Sequence, residues 1–167
     1  MQPNHRREFI IDANALIDYC ESDIAVLSLV STHVGSIHIA RGTFHKVNQL
    51  TTAAAAKHHM EIVTPDLETI LAATATRGAL AHDDRETLLI TKKYNWTCIT
   101  NDKALRRECA SENVPVLWGL EPMRLLVEYG LTTRSHVIKT ARLIQRANPR
   151  YITSEILTRF EEQIRAL

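Results

Sequence analysis

The chain has few cysteines, and Cys20, Cys98 and Cys109 stand singly, with no CxxC spacing among them. An odd count without paired spacing excludes a disulfide framework and a zinc ribbon, and points to a reducing, cytoplasmic interior. No apolar run approaches the length that crosses a bilayer, so no membrane partner is expected. The opening Met1-Gln2-Pro3-Asn4-His5 carries no apolar stretch of leader length. Phosphate-cradling glycine loops of the GxGxxG or GxxxxGK[ST] kind are missing, as are HExxH and GxSxG. Dinucleotide, P-loop, zincin and serine-hydrolase chemistries therefore have no support. No internal repeat occurs beyond the short Ala53–Ala56 run, a good helix former.

What is present is an ordinary globular composition: 167 residues, 45% hydrophobic and 23% charged, with a formal net charge of +1. That length suits one domain with a helical appendix. The small net charge hides an asymmetry. Residues 1–129 carry 13 Lys and Arg against 16 Asp and Glu, whereas residues 130–167 carry 7 against 3. An acidic body with a basic tail can hold an anionic partner beside a carboxylate site, or the tail can be a solvated helix surface.

Short apolar runs alternate with helical patterns along the first 129 residues. Strands are expected at 8–12, 36–40, 61–63, 97–100 and 114–118. Helices are expected from Asn14, over 24–34, from Gly42 through Thr52, from Pro65 towards Arg77, over 83–94, over 103–113 and over 122–129. Strand–helix alternation implies parallel crossovers, hence a three-layer α/β/α sandwich around a mainly parallel sheet. Beyond Gly130 the alternation stops. Val137, Ala141 and Ile144 mark one helix face opposite Lys139, Arg142 and Arg146, and Ile156, Phe160 and Ile164 mark another helix. A domain over 1–129 and a two-helix extension over 130–167 are expected, the basic face touching phosphates or simply facing solvent.

The residues that carry chemistry are carboxylates. Asp12 ends the first strand, Asp102 follows the fourth, and Asp84 sits in the first turn of a helix. Ligand sites in parallel sheets collect at the carboxyl ends of strands. Each acid has a second reading as a helix cap or first-turn acid, with Asp83 and Glu86 resembling a capping box. Three such acids at one end of one sheet would repel, unless a cation neutralises them. Hard oxygen donors suit Mg²⁺ or Mn²⁺, which can activate water against a phosphodiester.

Three segments resemble the PIN domain, the family of metal-dependent ribonucleases that includes the VapC-type toxins. They are Phe9-Ile10-Ile11-Asp12-Ala13-Asn14-Ala15-Leu16-Ile17-Asp18, Leu80-Ala81-His82-Asp83-Asp84-Arg85, and Thr97-Cys98-Ile99-Thr100-Asn101-Asp102-Lys103-Ala104-Leu105-Arg106. The resemblance covers about residues 8–129. It implies Asp12, Asp84 and Asp102 as catalytic ligands of Mg²⁺ or Mn²⁺, with Asn14, Thr100 and Asn101 as polar neighbours that orient them. It also implies endoribonuclease activity on RNA, a homodimer and, in the toxin members, an antitoxin protein as partner. Arg85, Lys103 and Arg106 are candidate contacts to the RNA backbone. The chain departs from the family on the helix after the second strand, where Lys46 stands in place of the usual Glu. Either three aspartates still hold a metal and cleavage survives in weakened form, or Lys46 pairs with Asp84 or Asp12 and leaves a non-catalytic binding module. A third role for Lys46 is to hold a substrate phosphate.

Overall fold

A computed structural model describes residues 6–75 and 77–167. The stretch Met1–His5, read above for a leader, and Thr76, inside the helix expected to reach Arg77, lie outside the described residues. In chain order the elements are β1 (Arg7–Ile11), α1 (Ala13–Ser22), α2 (Ala25–His33), β2 (Gly35–Ala40), α3 (Arg41–Lys46), α4 (Thr52–Lys57), β3 (Met60–Val63) and α5 (Leu67–Ala75). They continue with α6 (His82–Tyr94), β4 (Thr97–Ile99), α7 (Lys103–Ser111), β5 (Val116–Leu117), α8 (Glu121–Glu128), α9 (Arg134–Ala147) and α10 (Ser154–Ala166).

The five strands form one sheet in the order β3-β2-β1-β4-β5, and every pair is parallel. Parallel strands are joined by helical crossovers, so helices cover both faces and the strands read as continuous apolar runs. Phe9, Ile11, Ile37, Ile39 and Ile99 face α1, α2 and α8, in one cluster with Leu16, Tyr19, Leu27 and Met123. Ile10, Ala40 and Cys98 face the other way, against Leu88 and Ile90 of α6 and Leu105 and Cys109 of α7. This is the α/β/α sandwich expected from the alternation. Gly35 is required where β2 meets β1, because a Cβ there would lie 2.3 Å from the Arg7 carbonyl oxygen.

The helix expected from Gly42 through Thr52 is two helices. After Lys46 the chain turns sharply, with the Val47 N–H on the Phe44 carbonyl and the Leu50 N–H on the Val47 carbonyl. Val47 and Leu50 thereby reach the core, and the Thr51 hydroxyl starts α4 by accepting from the Ala54 N–H at 3.1 Å. Capping and burial together outweigh helix continuity here.

The last two helices share the core of the sandwich. Val137, Ala141 and Ile144 of α9 and Phe160 and Ile164 of α10 belong to the same buried cluster as Leu16 and Met123. Thr133 and Thr153 cap these helices through the His136 and Ile156 N–H groups. On the polar side, Arg142 and Arg165 both bind the Glu161 carboxylate. Among the described residues no helix is long and apolar enough to cross a membrane, and all three cysteines are free.

Candidate active site

Strand order reverses between β1 and β4: the chain leaves β1 towards β2 on one side and later returns to β4 on the other. That switch point opens a crevice at the carboxyl ends of the two strands, the place where open parallel sheets bind ligands. Asp12 and Asp102 stand at it because each directly follows, or nearly follows, one of these strands. The Asp12 N–H continues the ladder to the Ile99 carbonyl at 3.1 Å.

Asp12 is almost wholly buried, with 1% of its surface exposed. One carboxylate oxygen caps α1 by accepting from the Ala15 N–H at 2.8 Å, and the other accepts from the Thr100 hydroxyl. Burial pushes its carboxyl up to about 7, against the lowering effect of those two bonds, and the charges of Asp84 and Asp102 raise it further. Asp102 caps α7 by accepting from the Leu105 N–H at 2.8 Å, and its own N–H donates to the Thr100 oxygen at 2.9 Å. Thr100 therefore ties the two acids together. Asp84 lies half-buried in the first turn of α6, and its side chain makes no hydrogen bond to a described residue. Burial pushes it up to about 6, helped by Asp83 and Asp102 and opposed by Lys46. The three aspartates thus share one electrostatic pocket. They are not drawn in upon one centre: among the described residues no three His, Cys, Asp or Glu side chains are grouped so that they could hold a metal ion.

Two acids expected only as caps have other partners. Helix α6 begins one residue earlier, with Ala81 at the cap position and no side-chain cap, so Asp83 and Glu86 are not a capping box. Asp83 is buried and forms an ion pair with Lys46. Glu86 is buried too, and its Oε1 accepts from the Gly42 N–H at 3.2 Å, fastening α3 to α6. Lys46 accordingly pairs with neither Asp84 nor Asp12, the partners anticipated for it. The sequence spacing gave no sign of this, because the choice between adjacent acids depends on how α3 lies across α6.

The remaining polar candidates divide. Arg106 is half-buried beside the acids: burial lowers its pKa, while Asp102 and Asp12 favour its charge. It donates to the Asn101 carbonyl at 2.7 Å and lies 3.9 Å above the Trp118 ring. Lys103 is exposed on the first turn of α7 and makes no ion pair with a described residue. Arg85 turns away into a separate cavity that Leu88, Leu89 and Glu108 line, and its buried Nε has no partner. The Asn14 side chain makes no hydrogen bond to a described residue. Asn101 acts on the loop after β5: its Oδ1 accepts from the Gly119 N–H at 2.8 Å. The Tyr19 hydroxyl holds the Gly119 carbonyl at 2.5 Å from the other side.

No protein-family model matches the chain, and no curated protein matches it in sequence. Among solved structures it is similar to a PilT N-terminus domain protein from the hyperthermophilic archaeon Sulfolobus solfataricus P2. The match has a TM-score of 0.53 at 13% identity, over 70% of this chain and 91% of that one. The likeness defines the fold class: this is a PIN-like α/β/α fold. At that identity it speaks for the fold alone.

Proposed function

We propose that this chain is a divalent-cation-dependent endoribonuclease, with Asp12, Asp84 and Asp102 as the ligands of Mg²⁺ or Mn²⁺. The observation that carries the reading is the gathering of acids at the β1/β4 switch point, where Asp12, Asp84 and Asp102 act on one another's charge. Burial pushes up the Asp12 and Asp84 carboxyls, Asp84 and Asp102 raise Asp12 further, Asp83 and Asp102 raise Asp84, and Lys46, which opposes the Asp84 shift, is ion-paired with Asp83. The donors are of the type a hard cation takes, and binding one would require the three carboxylates to draw together, since no three acid, His or Cys side chains among the described residues are grouped to hold a metal as they stand. A carboxylate offers about four lone-pair sites. Asp12 uses two of them, Asp102 one, and Asp84 none towards described residues. Three hard oxygen donors with room for waters are what Mg²⁺ and Mn²⁺ prefer.

A cation bound there would polarise a phosphoryl oxygen and lower the pKa of a water for in-line attack. The residues of the chain supply the rest. Thr100 fixes the plane of Asp12 and the entry to α7 together. The Leu105 N–H orients Asp102. Asp84, lacking a fixed partner, is the acid free to adjust or to accept a proton near neutral pH. Arg106 and Lys103 lie on the acid side of α7 and provide positive charge to the RNA backbone. Lys46 neutralises Asp83 and so limits the negative charge that the substrate phosphate meets.

A second reading has its own support. The looseness of the acid group and the Lys46–Asp83 pair favour a non-catalytic module that binds RNA without cleaving it. Cleavage of end-labelled single-stranded RNA with Mn²⁺ separates the two. The nuclease reading predicts cleavage by the wild type, lowered by at least about a hundred-fold in Asp102→Asn. Equal rates in the two proteins would remove the proposed site, and cleavage gained only in Lys46→Glu would mark a decayed catalyst.

A further inference from the structure

A cavity of about 270 Å³ opens between the loop after β5 and helix α10, lined by Asn101, Trp118, Ile156, Arg159, Phe160 and Gln163, with Leu120 and Glu121 at its base. One of its lining residues, Asn101, directly precedes Asp102 in the chain. Its walls are those of a site for a flat, polar-edged ring. Trp118 is 39% exposed and lies outside the core clusters, so part of its ring is accessible. Arg106 covers one part of the ring at 3.9 Å and does not line the cavity, so it fixes the indole plane and leaves other ring surface open. Phe160 is buried and gives an apolar wall. Gln163 carries an amide donor and acceptor with no partner among the described residues. Arg159 is exposed and pairs only with the still more exposed Glu155, at 3.8 Å. The one acid, Glu121, is engaged by the Trp118 N–H at 2.8 Å and by Arg124.

We propose that this cavity receives one unstacked base of the RNA, the base flanking the phosphate presented to Asp12, Asp84 and Asp102, and that Trp118 and Gln163 select it. The proposal rests on the nuclease reading for the identity of the ligand. Sequence-specific recognition of single-stranded RNA stacks splayed bases on aromatic side chains and reads their hydrogen-bonding edges. Trp118 supplies the stack and Gln163 the edge contact. Arg159 stands at the rim for the neighbouring phosphate. Helix α10 thereby has a role beyond covering the core: it contributes the wall that discriminates between bases.

The test is a titration of the full chain with the four ribonucleoside 5′-monophosphates in the absence of divalent cation, followed through the indole N–H resonances of Trp96 and Trp118. The expected result is a saturable shift of Trp118 alone, with one nucleotide preferred. Trp118→Ala weakens binding of all four by about ten-fold, and Trp118→Phe recovers most of it. Gln163→Ala keeps binding but levels the preference, and in RNA cleaved with Mn²⁺ it levels the base bias at the cut. If no nucleotide moves the Trp118 resonance at millimolar concentration, or if Gln163→Ala keeps both preferences, the proposal is overturned even if RNA is cleaved. If the nucleotides bind as described and RNA is not cleaved, the base pocket stands and the nuclease reading falls.

Discussion

Asp12 is both a helix cap and the most strongly perturbed acid of the site, and the two roles coexist because a carboxylate has more lone pairs than one cap consumes. Its folded pKa of about 7 lies above the ordinary 3.8, so the folded protein binds that proton more tightly than the unfolded chain. The stability it contributes is fully present below pH 4 and is lost as pH rises through 7. Denaturant titrations in a chelating buffer are expected to show lower stability at pH 8 than at pH 5, with Asp12→Asn removing most of the difference. A curve in Asp12→Asn with the wild-type pH dependence would contradict the assignment. Asp18 follows the same sign: burial pushes it up to about 6, the Asn148 amide donates to it at 2.9 Å, and its other oxygen is buried without a partner. Asp18→Asn is expected to stabilise the protein at pH 7 by about 1 kcal/mol, with no gain at pH 4. Gly119→Ala should cost about 1–3 kcal/mol in thermal unfolding, because the new Cβ would stand 2.1 Å from the Asn101 amide nitrogen. At this scale the sequence was informative where a residue's role is local. Asp12 and Asp102 could be read as caps at strand ends, and Thr100 as their neighbour. The Lys46–Asp83 pair and the tie from Asn101 to Gly119 join segments far apart in the chain, and local spacing carries no trace of them.

The elements were legible to the extent that burial followed one period. The five strands and the helices from Pro65 onward fall close to their expected places, since parallel strands covered on both faces are plain apolar runs. The exception lies between β2 and β3, where the single helix expected from Gly42 through Thr52 is α3 and α4 separated by a turn. Thr51 is the signal for the second helix, a cap separated by one residue from the four alanines Ala53–Ala56. The consequence for the site is that α3 is short and anchored by Glu86 and Asp83 of α6. Replacing Lys46 by Ala is expected to destabilise the chain by about 1–2 kcal/mol, because it leaves Asp83 buried without its cation. Lys46→Glu should go further without metal, yet tighten Mn²⁺ binding by about ten-fold by restoring ligand charge. Thermal melts with and without Mn²⁺ check both. A Lys46→Glu protein that Mn²⁺ stabilises no more than the wild type would place Lys46 outside the site.

At the scale of the molecule, the acidic body and basic tail seen in the sequence become an acid pocket at the sheet's switch point and a helix pair whose apolar faces join the central core. Part of the tail's charge is internal, because Arg142 and Arg165 converge on Glu161. Removing residues 130–167 would uncover the surface that Val137, Ile144 and Phe160 now bury. The shortened protein is expected to lose cooperative unfolding or to aggregate, as judged by calorimetry and light scattering. A truncated form that melts like the whole chain would show that the pair is dispensable for the fold. The pocket formed by α10 and the loop after β5 had no counterpart in the sequence reading, since its walls come from three segments brought together only by that packing.

The central claim is that Asp12, Asp84 and Asp102 act as one cation site, and calorimetric titration of Mn²⁺ into the metal-free protein tests it most directly. The account predicts saturable binding near pH 8, weakened by about ten-fold or more in each of Asp12→Asn, Asp84→Asn and Asp102→Asn, and weakened in the wild type on lowering the pH through 7 to 6 as these carboxyls take up protons. Binding of undiminished strength in all three variants, or no binding in the wild type, would contradict it.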